Sequence, residues 1–420
     1  MNGAITLRLS NVRPGGASPV DLEVVEGIVT CMRPAADPTD AGPVLLPGLV
    51  DLHSHLREPG GEAQETLITG AAAAAAGGYA DVFAMANTDP VTDSVERVEW
   101  LRAHSPADGA ARIHPVGAIT VGLEGDELTP MEALASAGVT VFSDDGRCVD
   151  RADLMREALY RAHRTGTVIA QHAQLADLAR DGQVNAGRVA RATGLPPWPA
   201  SAEAAIVARD AVLAAETGGS LHVCHVSTAA SVEVIRWAKS HGWPVTAEVT
   251  PHHLLLTDAS AESADPVNKV NPPLRGPDDV RSLRRALLDG TIDAIATDHA
   301  PHTQNSKQRP WIEAPFGMTG LETALGVVVR VLLEEGALDW QLLARLMAAR
   351  PAQIGRLGGA AGHLPRVGDV ADFVLVEERS PLLVEPATHL SRSKNSPFGG
   401  MELPCRVLRT VVGGHVAYEA

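Results

Sequence analysis

Leu46-Pro47-Gly48-Leu49-Val50-Asp51-Leu52-His53-Ser54-His55-Leu56-Arg57-Glu58-Pro59-Gly60 is an apolar run that ends in two histidines one residue apart. A strand sends residues i and i+2 to one face, so His53 and His55 project together while Ser54 points away. Imidazole pairs of this kind suit a divalent ion such as zinc. Packed histidines at a strand end would read the same way, so the rest of the chain decides.

Working outward, the quoted run opens a series of eight short apolar stretches. Residues 46–51 form the first; the others are 80–85, 114–119, 139–142, 166–170, 220–224, 244–249 and 292–296. Helical segments lie between most of them, beginning with the alanine-rich residues 62–76, which Gly77-Gly78 stop. Short buried strands alternating with helices mark a parallel sheet with crossover helices. Eight such units imply an α/β fold in the form of a (β/α)8 TIM-like barrel. The chain ends differ, with alternating runs at Ile5-Thr6-Leu7-Arg8-Leu9 and Val20-Asp21-Leu22-Glu23-Val24-Val25. The same style returns in Asp372-Phe373-Val374-Leu375-Val376 and in Val407-Leu408-Arg409-Thr410-Val411-Val412 before Gly413-Gly414. Both ends are therefore expected to build one small β-sandwich domain, from residues 1–45 and 363–420, around a barrel of residues 46–362.

Composition narrows the function classes. The 420 residues are 45% hydrophobic and 20% charged, ordinary for a globular chain, and no run reaches the ~18 uncharged apolar residues of a membrane span. Met1 to Leu9 lacks the basic start and apolar core of a secretory signal, so a cytoplasmic location is expected. Cys31, Cys148, Cys224 and Cys405 form no Cys-x-x-Cys pair, which leaves histidines and carboxylates as the candidate ligands. A formal charge of −16 argues against phosphate-backbone binding, so nucleic acid is not an expected partner. Lys239, Lys269, Lys307 and Lys394 are the chain's four lysines, and its other cations are arginines.

Residues able to bind metal follow five of the eight strands: His53 and His55 the first, Asp145 the fourth, His172 the fifth, His225 the sixth and Asp298 the eighth. In a barrel the C-terminal strand ends converge on one mouth, where active sites of this fold lie. Four imidazoles and two carboxylates meeting there are a ligand set for two divalent ions.

With these residues in place, the chain resembles the bacterial class I dihydroorotases of the amidohydrolase superfamily along nearly its whole length. The shared motifs are Asp51 to Gly60, Met85-Ala86-Asn87-Thr88-Asp89-Pro90, Phe142-Ser143-Asp144-Asp145-Gly146 and His222-Val223-Cys224-His225-Val226-Ser227-Thr228. Glu248-Val249-Thr250-Pro251-His252-His253, Asn271-Pro272-Pro273-Leu274-Arg275, Thr297-Asp298-His299-Ala300-Pro301-His302 and Ala314-Pro315-Phe316-Gly317 complete the set.

The resemblance implies one zinc on His53, His55 and Asp298, a second on His172 and His225, and Asp145 bridging them. Many relatives bridge with a carboxylated lysine, and no lysine lies near the fourth strand here. Asp144 is the alternative bridge, since neighbouring strand residues face opposite ways; its family spacing to His172 favours Asp145. The implied reaction is reversible closure of N-carbamoyl-L-aspartate to L-dihydroorotate plus water in pyrimidine biosynthesis. A hydroxide shared by the ions is the implied nucleophile, with Asp298 as general acid and base. Arg57 is expected to grip the substrate carboxylate as a planar guanidinium, joined by Asn87 and His302, with Asn271 against the ring. His252, His253 and His299 are expected to pack or to support ligands. Homo-oligomerisation and a partnership with aspartate carbamoyltransferase also come with the resemblance.

Ala86 departs from the family's usual proline, and residues 303–313 depart from its acidic, lysine-rich version where a lid over the substrate is expected. Two other readings share this scaffold. Hydantoinases and allantoinases favour a bridging lysine and lack the His-Leu-Arg-Glu-Pro-Gly run. Noncatalytic homologues that only scaffold aspartate carbamoyltransferase have lost ligands, whereas all six are present here.

Overall fold

Gly48 divides two sheets. The structure, a computed structural model, describes residues 5–107 and 109–420, so Met1–Ala4 of the expected N-terminal β domain lie outside the described residues. The expected strand over 46–51 is two strands. Val44–Pro47 pairs with Leu7–Pro14 and Phe373–Glu377, whereas Leu49–Ser54 pairs with Tyr79–Ala84. At Gly48 a Cβ would stand 2.5 Å from that of Ala80, so only glycine lets the chain pass between them.

Eight parallel strands follow one another in chain order: β1 Leu49–Ser54, β2 Tyr79–Ala84, β3 Arg112–Pro115, β4 Val141–Phe142, β5 Val168–Gln171, β6 Ser220–Val223, β7 Val245–Val249 and β8 Ala294–Ile295. β1 to β3 form one sheet and β4 to β8 another. Single parallel bridges link their ends, Gly117 with Phe142 on one side and Ser54 with His299 on the other. Val50, Leu52, Phe83, Val116, Val141, Val168, Ala170, Cys224 and Ala294 meet in one buried cluster. Ala352 and Ile354, on the helix Arg350–Ile354, join that cluster. A larger cluster lies between the strands and the helices that follow them, among them Leu67–Ala76, Ala152–Thr165, Ser201–Thr217, Ala229–Ser240, Pro277–Asp289 and Ala324–Glu334. Strands buried on both faces explain why their sequences run apolar without alternating.

The first of these helices begins at Leu67, five residues later than expected. Thr66 and Thr69 cap each other reciprocally, and Glu58 accepts from the Leu67 amide at 2.8 Å. Residues 57–64 are thereby left as turns that frame the site.

The chain ends combine in one seven-stranded sheet. Its order is His415–Glu419, Arg406–Val412, Phe373–Glu377, Val44–Pro47, Leu7–Pro14, Val20–Val25 and Ile28–Pro34. Val12, Leu22, Val24, Val29, Leu45, Phe373, Leu375 and Val411 give it a core of its own. Among the described residues no helix is long and apolar enough to cross a membrane.

Candidate metal centre and substrate cavity

The strand ends are shaped to deliver polar side chains. Pairing of β1 with β2 slips between Asp51 and Ser54, and such a bulge re-aims side chains beside a site. Leu52 can thus join the apolar cluster while its neighbour His53 joins the polar one. Ser54 turns away and donates to Phe83 O at 2.8 Å. Asp51 accepts from the Thr297 amide at 2.8 Å and hydroxyl at 2.6 Å, tying β1 to the end of β8. Arg57, His225 and Asp298, each just past a strand, have φ of +63°, +32° and +48°. Positive φ is strained in residues with a Cβ and collects where function dictates the backbone.

The six candidate ligands come together around Asp145. Its Oδ1 lies 3.3 Å from His53 Nε2, 3.3 Å from His172 Nδ1 and 3.2 Å from His225 Nε2. Its Oδ2 lies 3.3 Å from His55 Nε2. Asp298 Oδ1 stands 3.2 Å from His55 Nε2 and 3.5 Å from His53 Nε2. Asp144 faces elsewhere and is occupied by the amides of Ile119 and Thr120 and the Thr120 hydroxyl.

Charge in this cluster is unbalanced in a way that suits cations. Burial pushes the Asp145 carboxyl up, yet the His53 charge and bonds from His172 and His225 hold it well below its ordinary range. Asp298 is likewise pushed up by burial but held low by His55, His53 and His225. Burial opposes protonation of His53, His55 and His172, and Asp145 overcomes it in all three. The site asks for positive charge, which divalent ions supply as well as protons do. His53 Nε2 is buried and has no hydrogen-bond partner. Donor atoms of His53, His55 and Asp298 lie within 4.8 Å of one another, as do those of His53, Asp145 and His225. These residues fit a metal centre. His53, Cys224 and Glu248 make a third such set, but burial pushes the Cys224 thiol up to about 12, so it stays protonated.

Supporting groups were less visible in the sequence. Glu248 Oε1 lies 2.8 Å from His53 Nδ1, and its Oε2 lies 3.0 Å from His222 Nε2. Burial would raise the Glu248 carboxyl, but His222 and His53 bring it down to about 2. It therefore accepts the His53 Nδ1 proton and leaves Nε2 free as a ligand. Asn87 Oδ1 does the same for His55 Nδ1 at 3.0 Å, and Gln174 Oε1 for His172 Nε2 at 2.8 Å. The available signal was the place of Glu248 as an acidic residue inside an apolar strand. His253 is held between Thr250 and Pro272 O, and His299 reaches Glu65 at 3.3 Å, both away from the ligand set.

Beside the centre lies a cavity of about 230 Å³ lined by His55, Asp145, His172 and Asp298 together with Arg57, Asn87, Asn271 and His302. The four residues expected to bind substrate thus share one space with the candidate ligands. Burial brings Arg57 down to about 10, which leaves it charged at neutral pH. Burial first, then the charges of Arg57 and Lys307, lower His302 to about 2. His302 Nε2 donates to Phe316 O at 2.6 Å, and its amide donates to Asn395 Oδ1 at 3.0 Å. Asn271 Nδ2 donates to Gln174, while its buried Oδ1 has no partner. Gly146, Ala300, Phe316 and Gly317 complete the wall. Gly317 has φ +133°, and a Cβ there would stand 2.8 Å from His302 Nε2. Asn395 Nδ2 donates to Ala300 O at 3.1 Å and Gly317 O at 3.2 Å.

The fold has solved counterparts. The L-hydantoinase (dihydropyrimidinase) from Arthrobacter aurescens superposes with a TM-score of 0.84 at 24% identity, over 97% of this chain and 95% of that one. For the dihydropyrimidinase from Brevibacillus agri the TM-score is 0.82 at 22% identity, over 98% and 95%. At such identity the likeness speaks to the fold. Sequence similarity goes further: the Dihydro-orotase-like family matches residues 42–231. The dihydroorotase of Streptomyces coelicolor is 51% identical over 399 residues, which cover 94% of this chain and 93% of that protein. The dihydroorotase of Mycobacterium tuberculosis is 47% identical over 422 residues, 98% of each. Agreement of that order along almost the entire length of both chains makes this protein a member of the dihydroorotase family.

Proposed function

We propose that the cavity interconverts N-carbamoyl-L-aspartate and L-dihydroorotate, the ring-closing step of de novo pyrimidine synthesis. One observation carries the reading: the Asp145 carboxylate lies within 3.3 Å of all four imidazoles, beside a cavity that also holds Arg57. His53, His55 and Asp298 would hold one zinc ion, His172 and His225 a second, with Asp145 shared between them. When bound, such ions make water nucleophilic near neutral pH and polarise a carbonyl. Asp298 touches the imidazoles through Oδ1 and lines the cavity with the same carboxylate. In ring opening it takes the proton of the attacking water and returns it to the amide nitrogen as the carbon–nitrogen bond breaks. Arg57 pairs with the carboxylate outside the reacting amide, with Asn87 and His302 beside it and Asn271 against the ring.

The pairing of the eight strands and their common apolar layer support a closed (β/α)8 barrel, and the seven-stranded sheet with a core of its own supports a small β-sandwich made by both chain ends. The expected division, 1–45 and 363–420 as the sandwich and 46–362 as the barrel, is kept except at the first junction, which the pairing of Val44–Pro47 with the chain-end strands moves to Gly48. Homo-oligomerisation and association with aspartate carbamoyltransferase belong to the same reading, and sedimentation of the chain alone and in mixture tests both.

The deciding experiment is an assay of zinc-loaded protein in both directions. Closure turns a dianion into a monoanion and consumes one proton. The equilibrium ratio of dihydroorotate to carbamoyl aspartate should therefore fall about tenfold per pH unit. Protein that neither forms nor opens dihydroorotate would overturn the proposal. Asp298→Asn should lower kcat by about 10³-fold, and near-normal turnover would place the proton transfer elsewhere.

A further inference from the structure

Among the described residues, two of the four lysines are buried without an acidic partner. Lys269 is 1% exposed and Lys307 7%. Among the described residues neither ammonium has a carboxylate within 4.0 Å, whereas Lys239 pairs with Asp293. A buried ammonium needs other dipoles to replace its lost water, and here backbone carbonyls do so. Lys269 Nζ donates to Trp311 O and Ala314 O, both at 2.6 Å, and reaches Ile312 O at 3.4 Å. Lys307 Nζ donates to Pro266 O at 2.8 Å, Pro315 O at 2.9 Å and Lys269 O at 3.2 Å.

All six acceptors lie in two stretches, the turn 266–269 and the segment 311–315. The lysines fasten one to the other, and the fastening ends at the cavity wall. Lys269 Nζ stands 4.4 Å from the centroid of the Phe316 ring, and the Lys269 carbonyl accepts from the Gly317 amide at 2.9 Å. The Phe316 carbonyl in turn holds His302 Nε2 at 2.6 Å, with an Arg57 nitrogen 3.5 Å from that same atom. Apolar side chains could tie two loops together without burying like charges side by side. What they lack is the ability to fix the directions of several carbonyls at once.

We propose that Lys269 and Lys307 are positioning residues for substrate recognition: they set the Phe316 carbonyl, and through it the His302 ring, against Arg57. This rests on the substrate-binding role proposed above for Arg57 and His302.

The test uses the zinc-loaded full chain with Lys307→Met, Lys307→Gln and Lys269→Met, each in the wild-type and His302→Ala backgrounds. KM and kcat for dihydroorotate opening are measured, with amide hydrogen exchange over residues 303–317. Either Met variant should raise KM about tenfold with kcat changed by less than about threefold. The Gln variant keeps two N–H donors and should recover part of that rise. In the His302→Ala background the same changes should move KM by less than about twofold, because the group being positioned is gone. An unchanged KM, or an equal rise in both backgrounds, would overturn the proposal. Wild-type protein inactive on dihydroorotate would instead strike the substrate reading. Exchange still decides the lysines' fastening role in that case: it should quicken over 303–317 in the Met variants, and unchanged exchange sinks it.

Discussion

Asp81 and Asp145 stand at opposite ends of the parallel strands, both almost fully buried and both held below the ordinary carboxylate range. Their partners differ. Asp81 takes Arg112 in a two-pronged pair at 2.8 Å and 2.8 Å, with His114 also at 2.8 Å, and Arg112 continues to Asp372, just before the strand Phe373–Glu377 of the chain-end sheet. Arg112 cannot give up its charge and cannot ligate, so that pairing is complete. Asp145 takes only imidazoles, whose charge is conditional and whose nitrogens bind metal once the proton leaves. A depressed pKa is common to both places; the kind of cation beside the carboxylate separates a structural clamp from a group of residues suited to metal.

Substitutions can break or sharpen that contrast. Asp145→Ala should have the largest effect, lowering turnover by about 10³-fold or more together with bound zinc. Metal analysis beside the dihydroorotate assay checks it, and full zinc with a normal rate would erase the distinction. Glu248→Gln should weaken zinc binding by about 10- to 100-fold, read by competition with a chelator, because Gln holds His53 Nδ1 without a charge. The smallest effect belongs to the other end. Arg112→Ala should cost about 2 kcal/mol of stability, below the usual range for a buried pair because the arginine is 38% exposed. Its kcat once zinc-loaded should match wild type. The sign with pH follows from Asp81. Its carboxyl is depressed below 3.8, so its stabilising share is complete above that value and fades as pH falls through the folded value. Denaturant melts of wild type and Arg112→Ala should therefore draw together as pH falls below 3.8.

What could be read in the sequence depended on how local each signal was. His53, His55, Asp145, His172, His225 and Asp298 each interrupt or follow an apolar run, so strand periodicity alone marked them as a group. Periodicity did not separate Asp144 from Asp145; family spacing favoured Asp145, and the hydroxyl and amides that claim Asp144 belong to residues 119 and 120, which no local reading joins to it. Strand order was legible because the runs are fully buried. The break at Gly48 was hidden, since Val44–Pro47 and Leu49–Ser54 read as one apolar stretch while pairing with strands three hundred residues apart. The late helix start was missed because Thr66 and Thr69 cap through hydroxyls rather than the more familiar acid. Asn395 and the two lysines make contacts distant in sequence that no local pattern announces, and for Glu248 the one local sign was an acid inside an apolar strand.

Asn395 has a consequence for the order in which the molecule is made. Every candidate metal ligand lies before residue 299, so a chain still growing on the ribosome carries the whole ligand set about a hundred residues before the amide that ties His302, Ala300 and Gly317 together. The residues proposed to hold ions are thus complete in the chain well before the side chain that closes the substrate wall, so the two parts of the site are joined by a tie that only the late sequence supplies.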